Sequence, residues 1–288
     1  MADTDATSQL TAPRSTGMKV ASPSTPIALE RSGQGARTTR QAASIYALTA
    51  TVLIVAQGFV VFGNVAVAEL AQITVFVFLA TTYLAWRKEP ERDLMLALSL
   101  LPLVQLLTLA LPTRLAPTLQ WFVMIGVPTY VLLVVAAYRL HLRPNEIGLR
   151  LTRWQPQART VLFGAALAVP GYIILRPAPL VADPTPLNVA TAVVIVAVFG
   201  GLLEEGLFRG VIQSAAERSV GRNSVAVSSF ATGLLYAATL DLRYLVYAVL
   251  VGIAFGTVVR RTGSLVGVAG GHAALLAGQL VLLPALFG

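Results

Sequence analysis

An all-α, polytopic transmembrane helical bundle of about eight to nine spans is the fold class that the sequence predicts. Of its 288 residues, 56% are hydrophobic and only 12% are charged, whereas soluble domains carry about 25% charged residues. Apolar runs long enough to cross a bilayer as a helix recur along the chain. The period-two alternation typical of barrel strands is absent.

Nine helical spans are predicted from these runs, with Pro and Gly at the joins between them. The spans are about 42–63, 65–86, 94–111, 119–138, 159–175, 188–213, 223–240, 243–259 and 264–286. Residues 1–40 are rich in Ser, Thr, Pro, Ala and Arg without a hydrophobic period, and we expect a disordered cytoplasmic tail there. The N-terminal transmembrane helices then occupy 41–187, and the chemically informative core occupies 188–288.

Basic residues alternate between loops in a way that predicts the topology. Fifteen Lys or Arg residues fall on the N-terminal side of the predicted membrane and three on the other. The three exceptions are Arg114, Arg176 and Arg243. Because cytoplasmic loops carry the excess of Lys and Arg, we expect a multi-pass protein of the cell membrane with a cytoplasmic N-terminus. The net charge of +8 therefore reflects topology and contact with the lipid bilayer, and no nucleic-acid partner is expected.

Two residue counts exclude whole classes of site. The chain has no Cys, which excludes disulfides, thiolate nucleophiles and cysteine zinc sites. It has two His residues, His141 and His272, which excludes histidine-rich metal clusters. His141 follows the fourth span among basic residues and is expected to lie in a loop.

A pair of adjacent acids lies inside the sixth predicted span, in the stretch Gly200–Arg209. Ionisable groups at lipid depth are expensive and usually functional. Glu205 and Arg209 stand at i and i+4, so they are expected to pair on one helix face. Glu204 points about 100° away and has Phe208 at its own i+4 position, so this carboxylate is expected to stay free as a general base.

Counting along the helices places a histidine near this pair. At 1.5 Å per residue, Glu204 lies about 13 Å and His272 about 12 Å from the predicted cytoplasmic ends of their spans. The two side chains are therefore predicted to share one level, in a cleft that opens toward the cytoplasmic half of the membrane.

These residues carry a resemblance to a known family. Glu204-Glu205-x-x-x-Arg209, followed by Arg261-Thr262-Gly263-Ser264-Leu265 leading into His272, resembles the CPBP family of membrane proteases. That family includes the CAAX prenyl proteases and the ABI or lysostaphin-resistance-like proteins. The matching core runs from about 188 to 285.

The resemblance implies an endopeptidase that hydrolyses peptide bonds near the cytoplasmic membrane face. It implies that Glu204 activates water, that Glu205 and Arg209 organise the site, and that His272 binds the water, a metal or the oxyanion. The implied substrate is a membrane-associated protein or peptide. A Zn²⁺ ion on Glu204, Glu205 and His272 is left open, and the cofactor is otherwise unknown.

Two departures from the family pattern leave a second hypothesis open. Tyr236 stands where the second motif has His, and Leu276 stands where the last motif has Asn or Asp. Tyr236 is a candidate hydrogen-bond partner, although a phenol cannot replace His as a near-neutral base. The alternative is a catalytically degenerate pseudoprotease that acts as a membrane binding or scaffolding protein. A transporter with a carboxylate proton relay is a third, less favoured hypothesis.

Overall fold

A computed structural model describes residues 26–86, 90–111, 118–150, 153–239 and 241–287. The chain divides into two units, Met1–Ile45 and Tyr46–Gly288. In the first unit the described residues are helical, and residues 1–25 of the predicted tail lie outside the described residues. Every feature of the candidate site belongs to the second unit.

The described residues form helices and no strand, so the predicted all-α fold class is confirmed. The α-helices are α1 Pro26–Phe62, α2 Val65–Ala85, α3 Glu91–Leu98, α4 Leu100–Ala110, α5 Thr118–Arg139, α6 Trp154–Leu175, α7 Pro186–Val196, α8 Leu203–Glu205, α9 Gln213–Val220, α10 Ser224–Tyr236, α11 Leu242–Thr262, α12 Val266–Ala277 and α13 Leu283–Phe287. Three π-helical segments, Ala197–Leu202, Gly206–Ile212 and Gly278–Leu282, join α7 to α8, α8 to α9 and α12 to α13.

Eight helical runs in the described chain are long and apolar enough to cross a membrane. The predicted sixth and seventh spans fall within one run, Pro186–Tyr236. This run turns at Gly221, whose φ of 57° ends α9, and a short 3-10 turn leads into α10. Helix α1 begins at Pro26, so residues 26–40 are helical where the sequence predicts part of a tail.

Helices α6 and α12 pack with their backbones in close contact. A Cβ built on Gly164 of α6 would lie 2.6 Å from Cα of Gly271 in α12, so no side chain larger than hydrogen fits there. Small residues at such crossings allow dispersion contacts that lipid tails do not replace. This contact fixes α12, which carries His272, against the rest of the bundle.

Three segments that carry seven of the 21 basic residues meet at one end of the bundle. Arg218 donates to the carbonyl of Leu140 at 3.1 Å, and Arg150 donates to the carbonyl of Gly263 at 2.7 Å. Residues 139–150, 218–223 and 260–265 thus form a single packed surface, which we call the arginine-rich end.

The close crossing of α6 and α12 predicts that adding one methyl group at Gly164 destabilises the protein. Gly164→Ala is expected to lower the melting temperature in detergent by several degrees, since overpacking a closed contact costs about 1–3 kcal/mol. Thermal unfolding monitored by circular dichroism measures this change.

Gly58→Ala is the matched control, because a Cβ on Gly58 meets no atom within 4 Å. Ala is also the better helix former by about 1 kcal/mol, so this variant is expected to melt at or above the wild-type temperature. Equal melting of both variants would contradict the close packing of α6 on α12.

Candidate active site

The acid pair lies between two π-helical segments whose glycines let another helix approach. A Cβ built on Gly201 would lie 2.5 Å from Cα of Ala273, the residue after His272. The backbone of α12 therefore rests directly on this turn. π-Turns are frequent at functional sites. Here the segment packs against α12 and also positions the two carboxylates.

Glu205 is the hub of a buried charged cluster. Its Oε1 lies 3.2 Å from Nη1 of Arg209, as the i,i+4 spacing predicts, and 2.6 Å from Nδ1 of His272. Glu205, Arg209 and His272 are 0%, 1% and 4% exposed. The predicted meeting of His272 with the acid pair is thus seen in the structure.

The depths counted from the sequence do not explain this meeting. The helix containing Glu204 continues to Val220, about 24 Å further along at 1.5 Å per residue, while His272 lies about 9 Å into α12. The side chains meet because the glycine contacts draw α12 against the turn at Gly201, and not because the two helix ends coincide.

Glu204 has a partner that the helix pattern does not reveal. The hydroxyl of Tyr236, at the end of α10, donates to Oε2 of Glu204 at 2.6 Å. The same oxygen lies 3.8 Å from Nε2 of His272, and the Glu204 side chain is 19% exposed. The expectation that Glu204 is free is therefore wrong. Its partner comes from another helix, at the position where the family motif has His.

Two further polar residues extend this cluster and were missed by sequence reasoning. The rings of Tyr236 and Tyr244 meet edge to face at 5.7 Å, and Gln279 donates to the Tyr244 hydroxyl at 2.9 Å. Gln279 follows His272 by seven residues, which places both on one helix face. That spacing could have identified Gln279, whereas nothing in the sequence singles out Tyr244.

An apolar cavity of about 370 Å³ borders Glu204. Its lining is mainly aliphatic and aromatic and includes Glu204 and Tyr236. Trp121, Leu175 and Thr239 also line it, near helix ends that lie away from the arginine-rich end. The sequence predicts a cleft that opens toward the cytoplasmic side, but this cavity extends in the other direction. Its lining side chains come from the halves of the helices that lie away from the arginine-rich end.

Leu276 contributes to the wall of this cavity. A Cβ on Gly200 would lie 2.7 Å from its Cδ1, so the leucine packs tightly against the turn that precedes the acid pair. At the position where the family motif has Asn or Asp, this chain therefore places hydrocarbon.

A smaller polar pocket of about 140 Å³ opens at the arginine-rich end. Glu146, one of its lining residues, accepts a 2.8 Å bond from the backbone N–H of Arg143 and a 2.9 Å bond from Arg218. The backbone bond first, and then the guanidinium, hold the pKa of the Glu146 carboxyl below its ordinary value. Arg209 and Gln213 form the buried side of this pocket.

The residues present do not fit the Zn²⁺ site that the resemblance leaves open. A catalytic zinc site usually takes three protein ligands. In the described part of the chain, no group of three His, Cys, Asp or Glu side chains is arranged to hold a metal ion. His272 uses Nδ1 on Glu205, and Glu205 is shared with Arg209. Nδ1 of His272 and Oε1 of Glu205 are therefore already engaged within the protein.

One comparison with known proteins finds a family model that matches part of the chain. Residues 186–277, about a third of the chain, match the family model described as type II CAAX prenyl endopeptidase Rce1-like. No curated protein and no solved structure matches the chain. The matched range contains the acid pair, Arg209, Tyr236 and His272.

The match and the eight apolar helices agree with the family resemblance carried by the Glu-Glu-x-x-x-Arg and His motifs. The chain is thus a multi-pass membrane protein whose residues 186–277 match an Rce1-like family model, which is consistent with a CPBP family protease.

Proposed function

We propose that the protein is a membrane-embedded endopeptidase that hydrolyses a peptide bond with water activated by Glu204. One observation carries the proposal: a single imidazole lies between two carboxylates beside an apolar cavity. His272 contacts Glu205 through Nδ1 at 2.6 Å and faces Glu204 through Nε2 at 3.8 Å. Hydrolysis needs a base for water and donors for the oxyanion, and this cluster has both kinds of group.

In the proposed reaction Glu205 and Arg209 position His272. The carboxylate accepts from Nδ1–H, which leaves Nε2 directed at Glu204. A water molecule held by Glu204 and Nε2 gives its proton to Glu204 as its oxygen attacks the carbonyl carbon. The proton then passes to the leaving nitrogen as the C–N bond breaks, so the products are a carboxylic acid and an amine.

Tyr236 takes the role of an oxyanion donor in this scheme. Its hydroxyl is already fixed 2.6 Å from Glu204, at the edge of the apolar cavity. Preorganised donors act strongly where water is excluded, and loss of one donor typically costs about 10²–10³ in rate. A phenol can supply this bond without serving as a base.

The substrate in this proposal is a membrane-associated protein or peptide with an apolar segment. The cavity next to Glu204 is lined mainly by hydrocarbon. Positive charge concentrated in loops that meet at one end supports a cytoplasmic arginine-rich end and N-terminus in the cell membrane. The scissile bond would then lie within the membrane, beside Glu204 and on the cavity side of the acid pair.

The first test removes the proposed base. Glu204→Gln keeps the size of the side chain but cannot accept the proton, so cleavage of a membrane-proximal peptide library in liposomes is expected to fall by about 10²–10⁴-fold. Product formation is measured by mass spectrometry.

Glu69→Gln is the matched control, since Glu69 is an acid in helix α2 that does not line the cavity. Its turnover should equal that of the wild type. Equal turnover of Glu204→Gln and the wild type would remove Glu204 from the reaction.

A second candidate function, a pseudoprotease that binds membrane proteins without cleaving them, is favoured by a different observation. The Tyr236 hydroxyl engages the proposed base, and Leu276 adds hydrocarbon to the cavity wall. In this alternative the cavity binds an apolar segment and no bond is broken.

Substitutions at Tyr236 separate the two functions. If Tyr236 donates to the oxyanion, Tyr236→Phe should lower kcat by about 10²–10³ with little change in KM, while Tyr247→Phe should retain kcat. Tyr247 belongs to the same aromatic cluster but donates to the carbonyl of Leu167. If the wild type cleaves no peptide and Tyr236→His does, the pseudoprotease function would instead be established.

A further inference from the structure

A line of polar side chains leads from the acid pair toward the arginine-rich end. Glu205, Arg209 and Gln213 follow one another at four-residue spacing, which places them along one side of the helix. They are 0%, 1% and 2% exposed. We call these three residues the polar track.

The polar track has more hydrogen-bonding capacity than the surrounding protein uses. Within the described residues, Oε2 of Glu205, Nε and Nη1 of Arg209 and Oε1 of Gln213 have no hydrogen-bond partner. Nη1 of Arg209 does have an ion-pair contact with Glu205. Buried polar atoms are nearly always bonded to protein or to ordered water, so these atoms together indicate a path that binds water.

The polar track ends at an opening to the polar end of the bundle. Arg209 and Gln213 line the polar pocket of about 140 Å³, together with Asn145, Ser214 and Arg260. The amide nitrogen of Gln213 is held by the carbonyl of Gly256 at 3.0 Å. Its free Oε1 is thereby fixed beside the pocket. One water needs roughly 10–15 Å³ of accessible space and two to four polar partners, and the pocket meets both conditions. A second cavity of about 20 Å³ touches Arg209, Tyr236 and His272, so there is also room for a water between Arg209 and the acid pair.

The apolar cavity reaches the acid pair from the other direction. It borders Glu204 and extends away from the arginine-rich end, and neither Arg209 nor Gln213 lines it. A substrate that fills this cavity would displace its water and close that side of the site. Water consumed by each hydrolysis would then need a separate supply.

We propose that Glu205, Arg209 and Gln213 form a hydrated path that brings water from the arginine-rich end to the Glu204–His272 gap while the apolar cavity holds the substrate. The use of this water in catalysis rests on the proposed endopeptidase function. The presence of water along the path does not, so the two can be tested apart.

Thiol labelling tests the path without reference to activity. The chain has no Cys, so a single introduced thiol reports only its own position. Gln213→Cys is expected to react with a small charged methanethiosulfonate at least about tenfold faster than Val211→Cys, since thiols react as the hydrated thiolate. Val211 is the matched control because it is 1% exposed on the same helix and lines neither the cavity nor the pocket.

Ser214→Cys, at the mouth of the polar pocket, serves as the second reporter and should label faster still. Only variants whose melting temperature matches the wild type are compared, and full labelling in denaturant gives the total thiol. Labelling of residue 213 as slow as that of residue 211 would overturn the path even if the wild type hydrolyses peptides.

Gln213→Leu tests the use of the path in turnover. The substitution removes the polar atom next to the pocket, and kcat is expected to fall at least about tenfold with KM unchanged. Fast labelling at residue 213 with no peptide hydrolysis in the wild type would keep the hydrated path and reject the endopeptidase. An unchanged kcat in a stable Gln213→Leu protein would reject the path as the source of the reacting water.

Discussion

The buried ion pair between Glu205 and Arg209, completed by His272, is the constraint on which the rest of the structure depends. Charges removed from water are tolerated only when paired and hydrogen-bonded. Here the pair comes from one helix, but the carboxylate needs a second donor, and His272 supplies it from another helix at 2.6 Å. Helix α12 must therefore lie close enough for an imidazole to reach across.

Small residues provide that closeness. Gly201 accepts the backbone of Ala273 from one side, while Gly164 accepts Gly271 from the other. Helix α12 is thus held between two surfaces that carry no side chain. Adjacent residues of a helix point about 100° apart, so the two carboxylates next to this contact face different surroundings. Glu205 enters a closed ionic cluster, and Glu204 faces the apolar cavity.

Two environments meet at this cluster. On the Glu204 side lies a hydrocarbon-lined cavity with the phenol of Tyr236, and on the Arg209 side lies a polar pocket among arginines. This separation suits a reaction that joins an apolar substrate with water. It also explains what Tyr236 can do at the position where the family motif has His. A phenol donates a hydrogen bond at the apolar boundary without adding charge there.

The sequence by itself determined the all-α membrane fold and the Glu205–Arg209 pair, because hydropathy and i,i+4 spacing are local properties of a helix. It singled out His272 as a partner of the acids, but the contact itself depends on the glycine crossings that hold α12 against the turn at Gly201. It did not determine the partner of Glu204, since Tyr236 and Glu204 are 32 residues apart and only helix packing brings them together. The sequence also did not predict the continuous run from Pro186 or the start of α1 at Pro26. Helix ends depend on backbone geometry more than on composition. The direction of the apolar cavity was decided by tertiary structure alone, since a cavity is bounded by side chains from many helices whose relative rotation no single segment encodes.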